Sequence, residues 1–238
     1  MSICLIPARG GSKRIPRKNI RSFRGLPMIA WSIRSARDSG LFSRLIVSTD
    51  DDEIAAVARD AGAEVPFTRP AALADDHAAT IPVIRHALDW LEAEGALPET
   101  LCCLYATAPF VRPDDLYAGA ALLGEGVDFV LAATEYAFPI QRALRLAPDG
   151  AVGMLDPVAY GTRSQDLEPA FHDAGQFYWG RSRAWRQAAE FFGPHTRALI
   201  LPRHRVQDID TPQDWDRAER MHRLLEDEQA EAGAGRPA

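Results

Sequence analysis

Short β-rich apolar runs alternate with amphipathic helical patterns over residues 3–133, and this alternation leaves few architectures open. Strands are expected at 3–8, 44–48, 101–106 and 128–133, with a short one near 64–66. Helices are expected at 28–38, 52–61, 81–94 and 113–123. Such a rhythm specifies an α/β fold, a Rossmann-like and mostly parallel sheet with helices on both faces. In open sheets of this kind ligands gather where loops leave the carboxyl ends of the strands.

Beyond Tyr136 the rhythm changes. Residues 142–146 and 151–154 flank Pro148-Asp149-Gly150 and read as a small hairpin. The stretch 157–169 is polar and irregular, so 136–172 reads as an excursion from the sheet, suited to a lid or an oligomer contact. Returning strands are expected at 175–180 and 198–201, then a closing helix at 212–225. Thr211 is placed to cap that helix, Pro212 suits its first position, and Asp214 adds an early negative charge. Residues 1–225 therefore read as one domain, and 226–238, acidic and rich in Ala and Gly, as a frayed, disordered tail.

The carboxyl end of the first strand carries Pro7-Ala8-Arg9-Gly10-Gly11-Ser12-Lys13-Arg14-Ile15-Pro16-Arg17-Lys18-Asn19. Consecutive glycines let backbone N–H groups approach an anion closely. Arg9, Lys13 and Lys18 can neutralise a polyphosphate, arginine as a fork and lysine as a movable point charge. From Arg9 to Arg24 there are seven basic residues and no acidic one, on a chain of net charge -6. That concentration points to a small anionic ligand and argues against nucleic acid as a partner. A solvated basic loop is the competing reading, and the spacing is not that of a Walker loop.

Asp208 and Asp210 stand two apart after an apolar run, so on extended backbone they face the same side. They suit joint coordination of a hard cation such as magnesium; the competing reading is that Asp210 merely caps the next helix. Together with the basic loop they supply what phosphoryl or nucleotidyl transfer needs, neutralised charge and aligned phosphates. His77 and His172 read as a general base, a substrate hydrogen-bond donor or plain structural histidines. Trp31, Trp90, Trp185 and Trp215 fall in helical patterns and read as core. Three cysteines, two of them adjacent, make neither a disulfide framework nor a zinc spacing. No apolar run reaches membrane-spanning length, and the opening one is too short for a signal peptide, so no membrane contact and a cytoplasmic location are expected.

These motifs, taken with others in order along the chain, resemble the family of CMP-sugar synthetases that activate nonulosonic (sialic-type) acids. The matching segments are Arg9-Gly10-Gly11-Ser12-Lys13 with Pro16 and Lys18-Asn19, then Ile46-Val47-Ser48-Thr49-Asp50, and Arg69-Pro70 with Leu73-Ala74-Asp75-Asp76. Thr107-Ala108-Pro109 and Asp208-Ile209-Asp210-Thr211 complete the series. Within the family, the stretch from Tyr105 to Phe110, Ser164-Gln165-Asp166 and the stretch from Phe171 to Trp179 resemble the branch that activates pseudaminic acid. Tyr105 stands where sialic acid members carry glutamine; sialic acid, legionaminic acid and Kdo are the alternative sugars. A nucleotide sensor without turnover is the alternative outside this class.

The resemblance implies CTP and an acidic nine-carbon sugar as ligands and Mg2+ as cofactor. It places Lys18, Arg9 and Lys13 at the reacting phosphates. Ala8, Arg9, Gly10, Gly11, Ser12, Lys13, Asn19, Arg69 and Thr80 would surround CTP. Tyr105, Asp173, Gln176 and Phe177 would line the sugar site, and Asp208 and Asp210 would hold the metal. The excursion would mediate a homodimer and send Arg163 into the neighbouring site.

Overall fold

The computed structural model describes residues 1–75, 78–187 and 190–234. Its strands are β1 (Ser2–Pro7), β2 (Ser22–Phe23), β3 (Leu26–Pro27), β4 (Arg44–Ser48) and β5 (Thr100–Leu104), followed by β6 (Phe129–Glu135), β7 (Leu144–Leu146), β8 (Val152–Met154), β9 (Phe171–Arg181) and β10 (Thr196–Ile200). Its helices are α1 (Met28–Ser39), α2 (Asp52–Asp60), α3 (Thr80–Ala93), α4 (Pro113–Ala121), α5 (Ser182–Gln187) and α6 (Pro212–Ala234).

One six-stranded sheet, ordered β10-β6-β9-β5-β1-β4, forms the centre. β1 pairs in parallel with β4 on one side and β5 on the other. β9 alone reverses, running antiparallel to both β5 and β6, while β10 pairs in parallel with β6. The sheet is thus mostly parallel, as the alternation predicts.

Helices cover both faces because successive strand residues point to opposite sides. Cys4 and Ile6 of β1 join Cys102 and Leu104 of β5 under α1, in a core with Ile29, Ile33 and Ala36. Ile3, Leu5, Leu101 and Cys103 face the other way, against Ile84, Leu88 and Leu91 of α3 and Trp185 of α5. A third core joins distant segments: Ile15 of the basic loop, Phe23 of the β2–β3 hairpin, Trp31 of α1, Ile209, and Trp215 and Ala218 of α6.

Two expectations are corrected. The segment 64–66 forms no strand; only isolated bridges, Ile46 to Glu64 and Thr49 to Thr68, continue the sheet there. Pro66 between them lacks the N–H that a ladder needs. The closing helix does not end at Leu225 but continues to Ala234. Leu225 is buried and Glu226 receives Arg24 at 2.9 Å, so tertiary contacts carry the helix past the expected end. Residues 235–238 lie outside the described set. The tight β2–β3 turn escaped the sequence reading; Arg24 (φ 49) and Gly25 (φ 86) both adopt the left-handed conformation that a two-residue hairpin of this twist requires.

The excursion contains the expected hairpin, β7 with β8, followed by short 3-10 turns. It exposes large apolar side chains, Phe138 at 82%, Val158 at 88% and Tyr160 at 81%. No described helix is long and apolar enough to cross a membrane.

Candidate active site

The basic loop leaves the carboxyl end of β1 and is stitched to the end of β4. Ala8 N donates to Ser48 O at 2.9 Å, and Gly10 N to the Asp50 carboxylate at 3.1 Å. Gly10 packs tightly on Asp51, since a Cβ there would stand 2.7 Å from Asp51 Oδ2 and force that side chain to shift. Gly11 has open space above it, and Ser12 N folds back onto Gly10 O at 3.0 Å. Buried Asn19 closes the loop's base by donating Nδ2 to Arg9 O at 2.9 Å.

The buried pair Ile15 and Ile209 brings this loop against the carboxylate segment, although nearly the whole chain separates them. Lys18 Nζ consequently donates to Ile209 O at 2.7 Å and to Asp210 Oδ1 at 3.3 Å. Arg14 reaches the same carboxylate at 2.9 Å. Partial desolvation first, and the Asp210 charge second, raise the Asp208 carboxyl above its ordinary value. Asp210 does not cap α6. Thr211 and Asp214 do so reciprocally, with Thr211 N and Oγ1 donating to Asp214 at 2.8 and 2.7 Å and Asp214 N returning to Thr211 Oγ1 at 3.2 Å.

Two neighbouring carboxylates beside a basic loop are the donor set that a hard divalent cation takes when other oxygens complete its shell. Among the described residues no group of three or more acidic, His or Cys side chains offers an all-protein cage.

Arg69 lies buried beneath the loop, its Nε donating to Ser48 Oγ at 3.1 Å and its Nη2 to Ser48 O. Burial lowers its pKa to about 10, so it stays charged at neutral pH. Thr80, the first residue of α3, shares a hydrogen bond with Tyr105 Oη at 3.0 Å and so links the expected CTP and sugar sets. Tyr105 packs on Tyr178 with ring centroids 5.3 Å apart, and Tyr178 donates to Asp173 Oδ2 at 2.7 Å. Burial raises both phenols above their ordinary values. Tyr178 was absent from the expected set, although strand alternation from Gln176 puts it on the same face.

The remaining expected residues are distributed unevenly. Gln176 is buried and donates Nε2 to Arg205 O at 2.7 Å, while its Oε1 has no partner among the described residues. Phe177 does not line the cleft. It is 0% exposed and packs into the opposite core, so close to α4 that a Cβ on Gly119 would meet it at 2.9 Å. Arg163 stands at the surface of the excursion, paired with Asp166 at 2.7 Å, and does not reach the loop within one chain. His172 Nδ1 lies 2.9 Å from Asp173 O; Asp76 and His77 fall outside the described residues.

A glycine-stitched basic loop facing paired carboxylates at the open end of a mostly parallel sheet defines a nucleotidyltransferase site. The chain belongs to the cytidylyltransferase family, whose model, described as Cytidylyltransferase, matches residues 3–130. It is 45% identical over 224 residues to the pseudaminic acid cytidylyltransferase of Campylobacter jejuni subsp. jejuni serotype O:2, covering 94% of this chain and 97% of that one. It is 28% identical over 229 residues to the CMP-N,N'-diacetyllegionaminic acid synthase of Legionella pneumophila, covering 93% and 96%. Among solved structures, CMP:2-keto-3-deoxy-manno-octonic acid synthetase complexed with CTP superposes with a TM-score of 0.68 over 94% of this chain and 99% of that one. At 16% identity that likeness speaks for the fold.

Proposed function

We propose that this cytidylyltransferase moves CMP from CTP to the anomeric hydroxyl of pseudaminic acid and releases pyrophosphate. The observation that carries the reading is the meeting of Lys18 with Asp210 at 3.3 Å, which puts phosphate-binding and cation-binding chemistry in one cleft. The sugar is assigned from the pseudaminic acid relative, supported by the Tyr105, Tyr178 and Asp173 cluster beside the loop.

In this reading Arg9 and Lys13 bind the β- and γ-phosphates, and the Gly10-Gly11-Ser12 turn lets backbone approach them. Lys18 exchanges Asp210 for the α-phosphate and offsets the charge that grows there as the transition state forms. Ala8, Asn19, Arg69 and Thr80 surround the cytidine. Tyr105, Asp173 and Gln176 orient the sugar so that its anomeric oxygen attacks the α-phosphorus in line. The new P–O bond forms as the bond to the β-phosphate oxygen breaks, pyrophosphate leaves with that electron pair, and the hydroxyl proton passes to water. Asp208 and Asp210 would hold Mg2+, which when bound neutralises phosphate charge.

The exposed apolar side chains of the excursion support a homodimer, in which Arg163 of one chain serves the site of the other. Buried free thiols at Cys4, Cys102 and Cys103 suit a reducing cytoplasm.

The test is pyrophosphate release from CTP and Mg2+ with pseudaminic, legionaminic, sialic or Kdo acid supplied separately. Release should be fastest with pseudaminic acid, from a species of twice the chain mass by light scattering. A faster reaction with another acid would reassign the sugar. CTP binding with no release from any acid would favour a nucleotide sensor.

A further inference from the structure

Arg17 of the loop pairs with the start of α2 rather than with the Asp210 carboxylate that Lys18 and Arg14 reach. Arg17 has a φ of 56, left-handed backbone that side-chain-bearing residues adopt at a cost. This turn sends its side chain away from Lys18. Arg17 Nη1 donates to Asp51 Oδ2 at 2.5 Å and Nη2 to Asp51 Oδ1 at 2.9 Å, a fork on a carboxylate, and Nη2 also meets Glu53. Asp51 is meanwhile the N-cap of α2, accepting Ile54 N at 2.9 Å. On its other side it lies against Gly10, where any Cβ would collide with it at 2.7 Å. Both arms of the loop, at Gly10 and at Arg17, therefore close on a single carboxylate held by a helix end.

A helix N-terminus near a phosphate loop is itself a ready anion site. Here Asp51, Asp52 and Glu53 fill the start of α2 with negative charge. They repel a triphosphate from that end and leave the Gly10–Lys13 turn and Lys18 as its seat.

We infer that Arg17 and Asp51 are positioning residues for CTP: their fork fixes the loop on α2 and thereby sets where Lys18 and the glycine turn stand. This rests on the reading of the loop as the triphosphate site. An exposed ion pair without such a role contributes little to anything. A misplacement of about 1 Å at a reacting centre, by contrast, can cost about a hundredfold.

The experiment compares wild type, Arg17→Met, Arg17→Lys, Asp51→Asn and the Arg17→Met/Asp51→Asn double variant. Pyrophosphate release is followed with CTP and sugar varied separately, and CTP affinity is read by calorimetry. Each of Arg17→Met and Asp51→Asn should lower kcat/KM for CTP by about ten- to a hundredfold while the KM for sugar stays put. The double variant should be no worse than the poorer single one, because both remove the same contact. Arg17→Lys should recover part of the loss. Unchanged kcat/KM for CTP, or losses that multiply in the double variant, would overturn the inference. If wild type binds CTP yet releases no pyrophosphate, the transfer reading fails alone. The positioning role then stands or falls on whether Arg17→Met and Asp51→Asn weaken CTP binding.

Discussion

The two walls of the cleft are anchored in opposite ways. On the loop wall the anchor is the Arg17–Asp51 fork, whose side chains are 37% and 21% exposed. On the carboxylate wall it is the Arg205–Asp115 fork, at 2.7 and 2.9 Å, with both side chains only 10% exposed. Asp115 also caps α4 by accepting Arg112 N at 3.0 Å, and Gln176 holds the Arg205 carbonyl from behind. The carboxylates thus hang from a buried brace, whereas the cations sit on a surface clip. That division suits the proposed chemistry. Loop cations have to leave Asp210 and re-form around a polyanion, while the carboxylates have to stay where they are.

The largest break in this comparison should come from Asp115→Ala. It strips the buried Arg205 of its partner and removes a helix cap, and unpairing a buried fork costs about 3–5 kcal/mol. Urea titration should report that loss as a lower midpoint with an unchanged slope. A midpoint equal to wild type would show that the carboxylate wall is no more firmly braced than the loop. Lys18→Ala comes next and acts on the other wall. Removing one preorganised charge contact costs about a hundred- to a thousandfold in turnover. The fold should survive, since Lys18 lies outside the three apolar cores. Near-normal pyrophosphate release by that variant would remove Lys18 from the chemistry.

How far these walls could be read in advance differs as well. The loop wall was legible because its features are local: the apolar run of β1, the glycine pair and the cluster of cations lie in one stretch. The sheet beneath it was legible for the same reason, each strand and helix carrying its own period. The bracing of the other wall was not. Asp115 and Arg205 are 90 residues apart, and nothing around either announces the partner. Lys18 and Asp210 meet only because Ile15 and Ile209 share a core, a contact that appears only once the chain has folded. Phe177 went astray for a different reason. It was assigned from the motif around it, whereas the in-out alternation of β9 puts it opposite Tyr178, inside the sheet. The end of α6 shows tertiary contact overriding composition, for the helix runs on past Leu225 where Arg24, from the β2–β3 turn, holds Glu226.

The smallest effect distinguishes the two anchors most finely, because it depends on acid. Hydrogen bonding from Arg17 holds the Asp51 carboxyl at about 2, against an ordinary 3.8. Between those values the unfolded chain binds a proton that the folded chain does not. The stabilisation is therefore fully present above about pH 4 and drains away as the pH falls towards 2. The shift corresponds to about 2 kcal/mol by linkage, reduced to about 1 kcal/mol or less because the pair meets solvent. Urea unfolding followed from pH 6 down to 2 should show wild type losing this increment, while Asp51→Asn, already without the charge, declines less steeply. Curves that stay parallel throughout would mean that the fork adds nothing to the fold, and the loop would then be held without it, by its stitches to Ser48 and Asp50, by Asn19 and by the buried Ile15.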